Sequence, residues 1–268
     1  MKHLSLFGCL SLLFILSTAF TCTDHRDLPP AARFRVKTIN YTTTGDSSAS
    51  ALFNLLYGAD GRLASVRSDL YSGRDAGRRD VIYNSNSNID AQIFTAWSES
   101  KVTVYFMLYN IDKQNRVTRM SFTDASLLRS FYTYDFTYNG TGTMPLSRTI
   151  TEFSRGTPSE SKTENYTFIN GNAAVINGIS YAYDTSPNPY KGLVGFSSFL
   201  FVSPDFNFGF SLLNRPFSIS ERFSDSSVKA FNQNNRTTNA QLTYNSNGLV
   251  TRIAYTDGNS EEFTYETY

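Results

Sequence analysis

The side chains that most often carry out chemistry in proteins are concentrated at the start of this chain of 268 residues. Its two histidines, His3 and His25, and its two cysteines, Cys9 and Cys22, all lie in that first part. The remainder therefore lacks Ser-His-Asp and Cys-His catalytic groups, His-ligated and Cys-ligated metals, and disulfides. It also lacks a phosphate-binding glycine loop. We expect no cofactor and no metal site.

Carboxylates remain as candidates for catalysis. A glycosidase uses two Asp or Glu side chains whose carboxyl groups lie about 5 to 9.5 Å apart, one of them with a pKa raised by burial. The candidates are Glu99, Glu152 and Glu164. Glu152 and Glu164 lie in or next to segments in which polar and apolar residues alternate, so we expect their side chains to face solvent. We therefore predict that the protein is not an enzyme.

One cysteine is a candidate for modification. Residues 1–22 have the features of an export signal, because the largely apolar run from Leu4 to Phe20 is too short for a comfortable membrane span. The end of this run, Ala19-Phe20-Thr21-Cys22, resembles the lipobox of bacterial lipoproteins, in which Cys22 carries the lipid. Thr21 departs from the usual Gly, Ala or Ser. The alternative is an ordinary cleaved signal peptide, and both interpretations predict export.

The composition after Cys22 indicates a tethered domain. Residues 23–32 are polar and contain Pro29-Pro30, which favours an extended tether, and residues 33–268 are enough for a single β domain. Basic and acidic residues balance at 23 each once Lys2 is set aside, so we expect no nucleic-acid partner. The expected partner is a membrane, reached through the lipid anchor. The predicted location is the outer membrane, on a side that the sequence leaves open.

A turn motif that begins with tyrosine recurs in the chain. In Tyr57-Gly58-Ala59-Asp60-Gly61-Arg62-Leu63 and in Tyr244-Asn245-Ser246-Asn247-Gly248-Leu249-Val250, one apolar-periodic run stops and a second begins. Asn and Gly tolerate the positive φ of tight hairpin turns, so both segments predict β-hairpins. A looser copy runs from Tyr109 to Met120, and we interpret it as the same motif with two extra residues in the turn.

Period-two alternation predicts strands around these turns. Segments such as Arg33 to Ile39 and Phe131 to Tyr138 place one set of side chains on a core and the other in water. Both faces of Val102 to Tyr109 are apolar, so we expect this strand to be covered on both sides. The chain is therefore predicted to be all-β, an antiparallel up-and-down meander of many hairpins, curled or closed into a barrel-like sheet.

The segment from Asp184 to Leu193 interrupts this pattern. Pro187 and Pro189 lack backbone donors, which indicates a rigid excursion from the sheet. An aromatic segment follows it. We predict a candidate binding surface for an envelope protein or a glycan, formed by Tyr190, Phe196, Phe199, Phe206 and Phe208. The alternative is that this segment plugs or caps the core.

These features resemble a family of Bacteroidetes envelope lipoproteins that contain a domain of unknown function. The matching features are Cys22, the hairpins at Tyr57 and Tyr244, and the stretch from Tyr181 to Leu193, and they cover most of the mature chain. The hairpin motif alone also resembles the YD repeats of large toxin-type proteins. The family resemblance implies an antiparallel, barrel-like meander described as porin-like, and it implies no catalytic residues.

Three functions remain open. The first is an exported, lipid-anchored envelope protein with a non-catalytic binding or structural role, and the second is a carbohydrate-active or glycan-binding envelope protein. The third is a transmembrane β-barrel, whose strands also alternate. The final strand disfavours the third, because Tyr268 is in phase with Glu262 and Glu266, which would then face lipid.

Overall fold

The fold was described from a computed structural model that covers residues 33–42, 44, 50–70, 76–84, 89–98, 101–124, 129–191, 193, 226–233 and 236–268. Cys22 and the four phenylalanines of the predicted binding surface lie outside these residues. Residues 35–266 form one compact unit. The described residues of the other unit are 33, 34, 267 and 268, and within it the backbone amide of Tyr268 donates to the carbonyl of Arg33.

Sixteen β-strands lie within the described residues. Each strand pairs antiparallel with the next along the chain, and the last pairs with the first to close a barrel. This confirms the all-β meander and shows that the sheet closes. The strands are β1 (Phe34–Thr42), β2 (Ala51–Tyr57), β3 (Leu63–Leu70), β4 (Ala76–Tyr83), β5 (Ile89–Ser98), β6 (Lys101–Ile111), β7 (Val117–Asp124), β8 (Arg129–Tyr138), β9 (Pro145–Ser154), β10 (Thr157–Ile169), β11 (Asn172–Ile176), β12 (Ile179–Pro187), β13 (Ser226–Gln233), β14 (Arg236–Tyr244), β15 (Val250–Tyr255) and β16 (Ser260–Thr267).

Side chains alternate between the inner and outer faces of the barrel wall. Aromatic, methionine and aliphatic side chains from most of the strands pack on the inner face into one hydrophobic cluster, in which Met107, Met120 and Tyr134 are fully buried. Within it the rings of Tyr105 and Phe122 stack with their centroids 5.2 Å apart. Removal of this apolar area from water favours the closed sheet. Among the described residues, no helix is long and apolar enough to cross a membrane.

One strand differs from its prediction. The inner side chains of β6, such as Tyr105, are buried as expected, but two outer side chains, Val102 and Leu108, are 59% and 46% exposed. The prediction that this strand is covered on both sides is therefore wrong. No described part of the chain covers these outer residues, although their sequence alone is typical of a fully buried strand.

The three predicted hairpins share one turn geometry. The β2–β3 and β14–β15 turns each place a glycine at positive φ, Gly61 at 78° and Gly248 at 72°, and Asn115 at 60° has the same place in the β6–β7 turn. In all three the first turn residue donates its amide to the carbonyl four residues later. The interpretation of two extra residues after Tyr109 is wrong. The cross-strand register shows that Ile111, paired with Val117, takes the position that Tyr57 has in its own hairpin.

A set of tyrosines connects neighbouring strands at one rim of the barrel, where even-numbered strands end and odd-numbered strands begin. Each hydroxyl donates to a backbone carbonyl near the start of the preceding strand, over 2.6 to 3.0 Å. For three of them an arginine at or just before the start of the preceding strand lies over the ring, as with Arg116 over Tyr138 at 4.5 Å. These contacts keep the hairpins in register. The tyrosines are Tyr57, Tyr83, Tyr138, Tyr183 and Tyr265.

Candidate functional site

Beyond the end of β12, the chain turns sharply through the proline-rich segment. The side chain of Asn188 accepts a hydrogen bond from the amide of Tyr190 at 3.0 Å, and the carbonyl of Asn188 accepts one from the amide of Lys191 at 3.1 Å. A second turn follows, in which the amide of Leu193 donates to the carbonyl of Tyr190. Asn favours such turns because its side chain can replace a backbone acceptor. β12 continues to Pro187, which pairs with Ser226, so the chain leaves the sheet at Asn188 and not at Asp184 as predicted.

Tyr190 points from this turn into the barrel. Its side chain is 7% exposed, and its ring packs edge-on against Phe263 on the inner face of β16, with centroids 5.4 Å apart. Its hydroxyl donates to the Glu261 carboxylate at 2.9 Å, and Glu261 is only 4% exposed. Leu193 is buried in the same cluster. Tyr190 therefore lies in the interior and is not part of an outer surface, while its contact with a ligand stays a prediction.

A second polar group in the interior joins two neighbouring strands. Arg148 on β9 and Glu164 on β10 are cross-strand partners, and their Nη2 and Oε2 atoms lie 2.5 Å apart. Their side chains are 6% and 13% exposed. The expectation that Glu164 faces solvent is therefore wrong. A pairing of opposite charges is what allows both groups to be buried.

Two tyrosines surround this ion pair. The guanidinium of Arg148 lies 5.5 Å from the ring centre of Tyr134, which is fully buried. Burial raises the pKa of the Tyr134 and Tyr166 hydroxyls well above the usual value for tyrosine. The hydroxyl of Tyr166 is buried and has no hydrogen-bond partner among the described residues. The ion pair and the two tyrosines therefore form a polar cluster with no net charge inside the barrel.

The glutamates do not form the pair that a glycosidase requires. Glu164 lies opposite Arg148, whereas Glu152 lies four residues further along β9, so the two backbone positions are about 13 Å apart at 3.3 Å per residue. Glu164 is also engaged with Arg148. Glu99 lies outside the described residues. Glu152 and Glu164 are therefore too far apart along the strands for the two-carboxylate arrangement of glycoside hydrolysis, and Glu164 is engaged in charge pairing.

A signal for the internal ion pair was present in the sequence. Arg148 shares its strand parity with Ile150, and Glu164 shares its parity with the buried Tyr166. A charged residue in phase with apolar neighbours indicates an inward-pointing charge that needs a partner. The partner itself could not be deduced, because it depends on the register between β9 and β10.

The outer wall from β7 to β10 is strongly polar. Hydroxyl groups pair across strands, as in Thr149 with Thr163 at 3.0 Å and Thr137 with Ser147 at 2.6 Å. Arg119 and Asp135 form an ion pair at 2.5 Å on the same wall, with side chains 50% and 36% exposed. This part of the wall has the composition of a surface that faces water.

Comparison with known proteins agrees with the fold. The chain is similar to the crystal structure of a porin-like protein from Bacteroides uniformis, at 14% identity over 86% of this chain and 98% of that chain, with a TM-score of 0.51. A porin-like protein from Bacteroides vulgatus gives 11% identity over 87% and 99% of the two chains and a TM-score of 0.40, on which we base no argument. No protein-family model and no curated protein matches the sequence. The first likeness shows a shared porin-like β-barrel fold.

Proposed function

We propose that the protein is an exported envelope barrel, anchored to the outer membrane by a lipid on Cys22, with a non-catalytic binding or structural role. In this proposal the barrel stands in water beside the membrane and conducts no solutes. The observation that carries it is the distribution of polarity across the wall. Most of the inner face is a packed hydrophobic core that encloses a few polar groups, and much of the outer face is polar.

The inner face supports a role other than an aqueous channel. A porin lumen is lined by polar side chains that contact water. Here the inward side chains include Met107, Met120 and Tyr134, all fully buried, and Tyr190 inserts among the inner residues next to Phe263. Opening a path through this core would expose a large apolar area, which the hydrophobic effect opposes.

The outer face supports a location outside the lipid core. Facing lipid, an arginine costs about 2–4 kcal/mol at the bilayer midplane and less near the interfaces, and Arg119 is the third residue of β7. Thr137, Thr149 and Thr163 would add hydroxyls to the same lipid contact. This energy would work against insertion of the strands from β7 to β10.

A transmembrane barrel is the second candidate, because specific observations favour it. The structural neighbour from Bacteroides uniformis is described as porin-like, and part of the outer wall, on β6, exposes Val102 and Leu108. The two candidates differ in their dependence on Cys22. A spanning barrel stays in the membrane without a lipid anchor, whereas a tethered barrel is released.

The test is fractionation of the full chain and of a Cys22→Ala variant in a Gram-negative host. We expect the wild type to incorporate labelled palmitate and to sediment with outer membranes, and Cys22→Ala to lose the label and to appear in the periplasmic extract. Cys9→Ala is the matched control, because this cysteine lies inside the apolar run and its loss leaves the lipobox intact.

Two outcomes would contradict the proposal. The first is a Cys22→Ala protein that remains in membranes after carbonate and urea extraction. The second is stable conductance when the purified variant is added to planar bilayers. A thermal-shift screen of the released variant against glycans then addresses the binding role, because a ligand that binds the folded state raises Tm.

A further inference from the structure

An apolar stripe crosses part of the otherwise polar outer wall. It covers β4, β5 and β6, and we call it the outer stripe. Three of its side chains are largely exposed, Ile82 at 40%, Val102 at 59% and Leu108 at 46%. The others are partly exposed. The outer stripe consists of Ile82, Ile93, Val102, Val104, Phe106 and Leu108.

The strand register makes this stripe continuous. Ile93 pairs with Phe106, and Ala91 pairs both with Ile82 on one side and with Leu108 on the other. Cross-strand partners on one face lie about 4.5–5.5 Å apart, so their side chains touch. A contiguous apolar patch on a polar surface is typical of an interaction site, whereas a single exposed apolar residue is not.

The flanks of the stripe indicate which kind of partner it takes. On one side Arg78 and Asp80 on β4 form an ion pair at 2.7 Å, and on the other side Arg119 on β7 pairs with Asp135 on β8. Each flank therefore carries one positive and one negative charge. A lipid surface rich in anionic headgroups would repel both aspartates. A second copy of the same wall carries the same balanced pairs, so the flanks of two copies have no net charge and do not repel each other.

We propose that the outer stripe is a self-association surface, on which two copies of the chain pack sheet against sheet with β6 near the two-fold axis. This rests on the proposed function, because a wall immersed in lipid needs no protein cover. Sheets pack face to face about 10 Å apart and bury the side chains between them. In a two-fold interface the same patch of both copies meets, so the apolar stripe of one copy would cover the apolar stripe of the other.

The size of the stripe predicts a weak dimer. From Val102 to Leu108 it extends about 20 Å along β6, and three strands span roughly 15 Å with their side chains, or about 300 Å². A stable interface buries about 800 Å² per partner. The ion-paired flanks must therefore contribute, and we expect dimers to form in the micromolar to millimolar range of concentration.

The test is sedimentation velocity on the full-length Cys22→Ala chain over about 5 to 500 µM, the range in which a small interface shows association. We expect the sedimentation coefficient to rise toward that of two chains. Leu108→Thr, which installs the residue type found on the polar part of the wall, should weaken association at least tenfold. Leu146→Thr is the matched control, because Leu146 is similarly exposed, at 49%, but lies on β9 outside the stripe. It should associate as the parent does.

Several results would overturn this proposal. A parent chain that stays monomeric over the whole range would do so, and so would association that Leu108→Thr and Leu146→Thr leave equally intact. Monomers that bind vesicles of phosphatidylethanolamine and phosphatidylglycerol through Leu108 would make lipid the occupant. If Leu108→Thr unfolds, Val102→Thr takes its place. A Cys22→Ala chain that cannot be released from membranes would instead contradict the proposed function, and this distinguishes the two failures.

Discussion

Replacing Glu164 by leucine should destabilise the barrel far more than replacing Glu164 and Arg148 together by apolar residues. The two side chains form an ion pair across β9 and β10 at 2.5 Å, with exposures of 13% and 6%. The single substitution leaves the guanidinium of Arg148 in an apolar interior without this carboxylate. The double substitution, Arg148→Met with Glu164→Leu, removes both charges and keeps the volume.

The magnitudes separate the two variants clearly. Breaking a buried ion pair on one side costs about 3–5 kcal/mol, whereas exchanging the pair for packed apolar residues is neutral or stabilises by about 1–4 kcal/mol. Total stabilities are about 5–15 kcal/mol, so the single substitution removes a large share. Lys162 lies 3.6 Å from Glu164, but its side chain is 60% exposed, so its solvent-screened contribution is below about 1 kcal/mol.

The assay is equilibrium urea unfolding of the full-length Cys22→Ala chain, followed by circular dichroism, with the four proteins of a double-mutant cycle. The exposed pair of Arg119 and Asp135 is the matched control, and Asp135→Leu there should cost less than about 1 kcal/mol. The reasoning is refuted if Glu164→Leu is as mild as Asp135→Leu, or if the double variant is as unstable as the two single variants combined.

Three further perturbations test other parts of the structure by the same unfolding assay. Tyr190→Phe removes the hydrogen bond to the buried Glu261 and should lower the free energy of unfolding by about 1.5–3 kcal/mol. Tyr244→Phe removes the exposed hydrogen bond to Asp184 and should cost less than half as much. Equal losses of stability would contradict the argument that burial strengthens the Tyr190 contact. Gly248→Ala should lower the free energy of unfolding by about 1 kcal/mol, because φ is 72° at this position. Gly248→Asn should be nearly neutral, because the β6–β7 turn has Asn115 in the same place. The reverse order of stabilities would disprove the turn assignment. Stability should fall as the pH rises above about 10, the usual tyrosine pKa, because unfolded phenols then lose protons that the folded chain retains. A transition that is flat to the highest pH, with early tyrosinate absorbance, would contradict the raised pKa values of Tyr134, Tyr166 and Tyr265.

Local turn chemistry was readable from the sequence, and the register was readable only in part. Gly61 and Gly248 marked their hairpins because few residues adopt positive φ. The β6–β7 hairpin was found but misaligned, because Tyr109 was matched to Tyr57 by residue type. The structure pairs Ile111 with Val117 instead, and the Tyr109 side chain accepts a hydrogen bond from Gln92 deeper in the core.

Strands without clear alternation were predicted least well, and of β14 only the end at Tyr244, before its hairpin turn, was predicted. β11 is short, β13 has no β-branched residue other than Val228, and most of β14 is polar on both faces. Their strand conformation depends on neighbours that supply hydrogen-bond partners on either side. The prediction for Val102 to Tyr109 failed for the related reason that composition shows apolarity on two faces, while exposure depends on what packs outside the wall.

For the candidate sites, the sequence indicated residue types and the structure assigned their surroundings. Tyr190 was singled out by the proline-rich turn before it, but its direction was open, and the structure places it inside against Phe263. Glu164 was expected in solvent, and it is paired with Arg148 in the interior. Cys22, Phe196, Phe199, Phe206 and Phe208 lie outside the described residues, so their predicted roles stay predictions.

By itself, the sequence determined the all-β class, the hairpin connections and the lack of histidine and cysteine chemistry after residue 25. These follow from φ preferences, period-two alternation and composition, which are properties of a few neighbouring residues. Only the tertiary structure decided the closure of β16 on β1, the inward ion pair and the exposed outer stripe. These three features depend on contacts between strands or on which face of the sheet is exposed. A local sequence pattern contains neither kind of information.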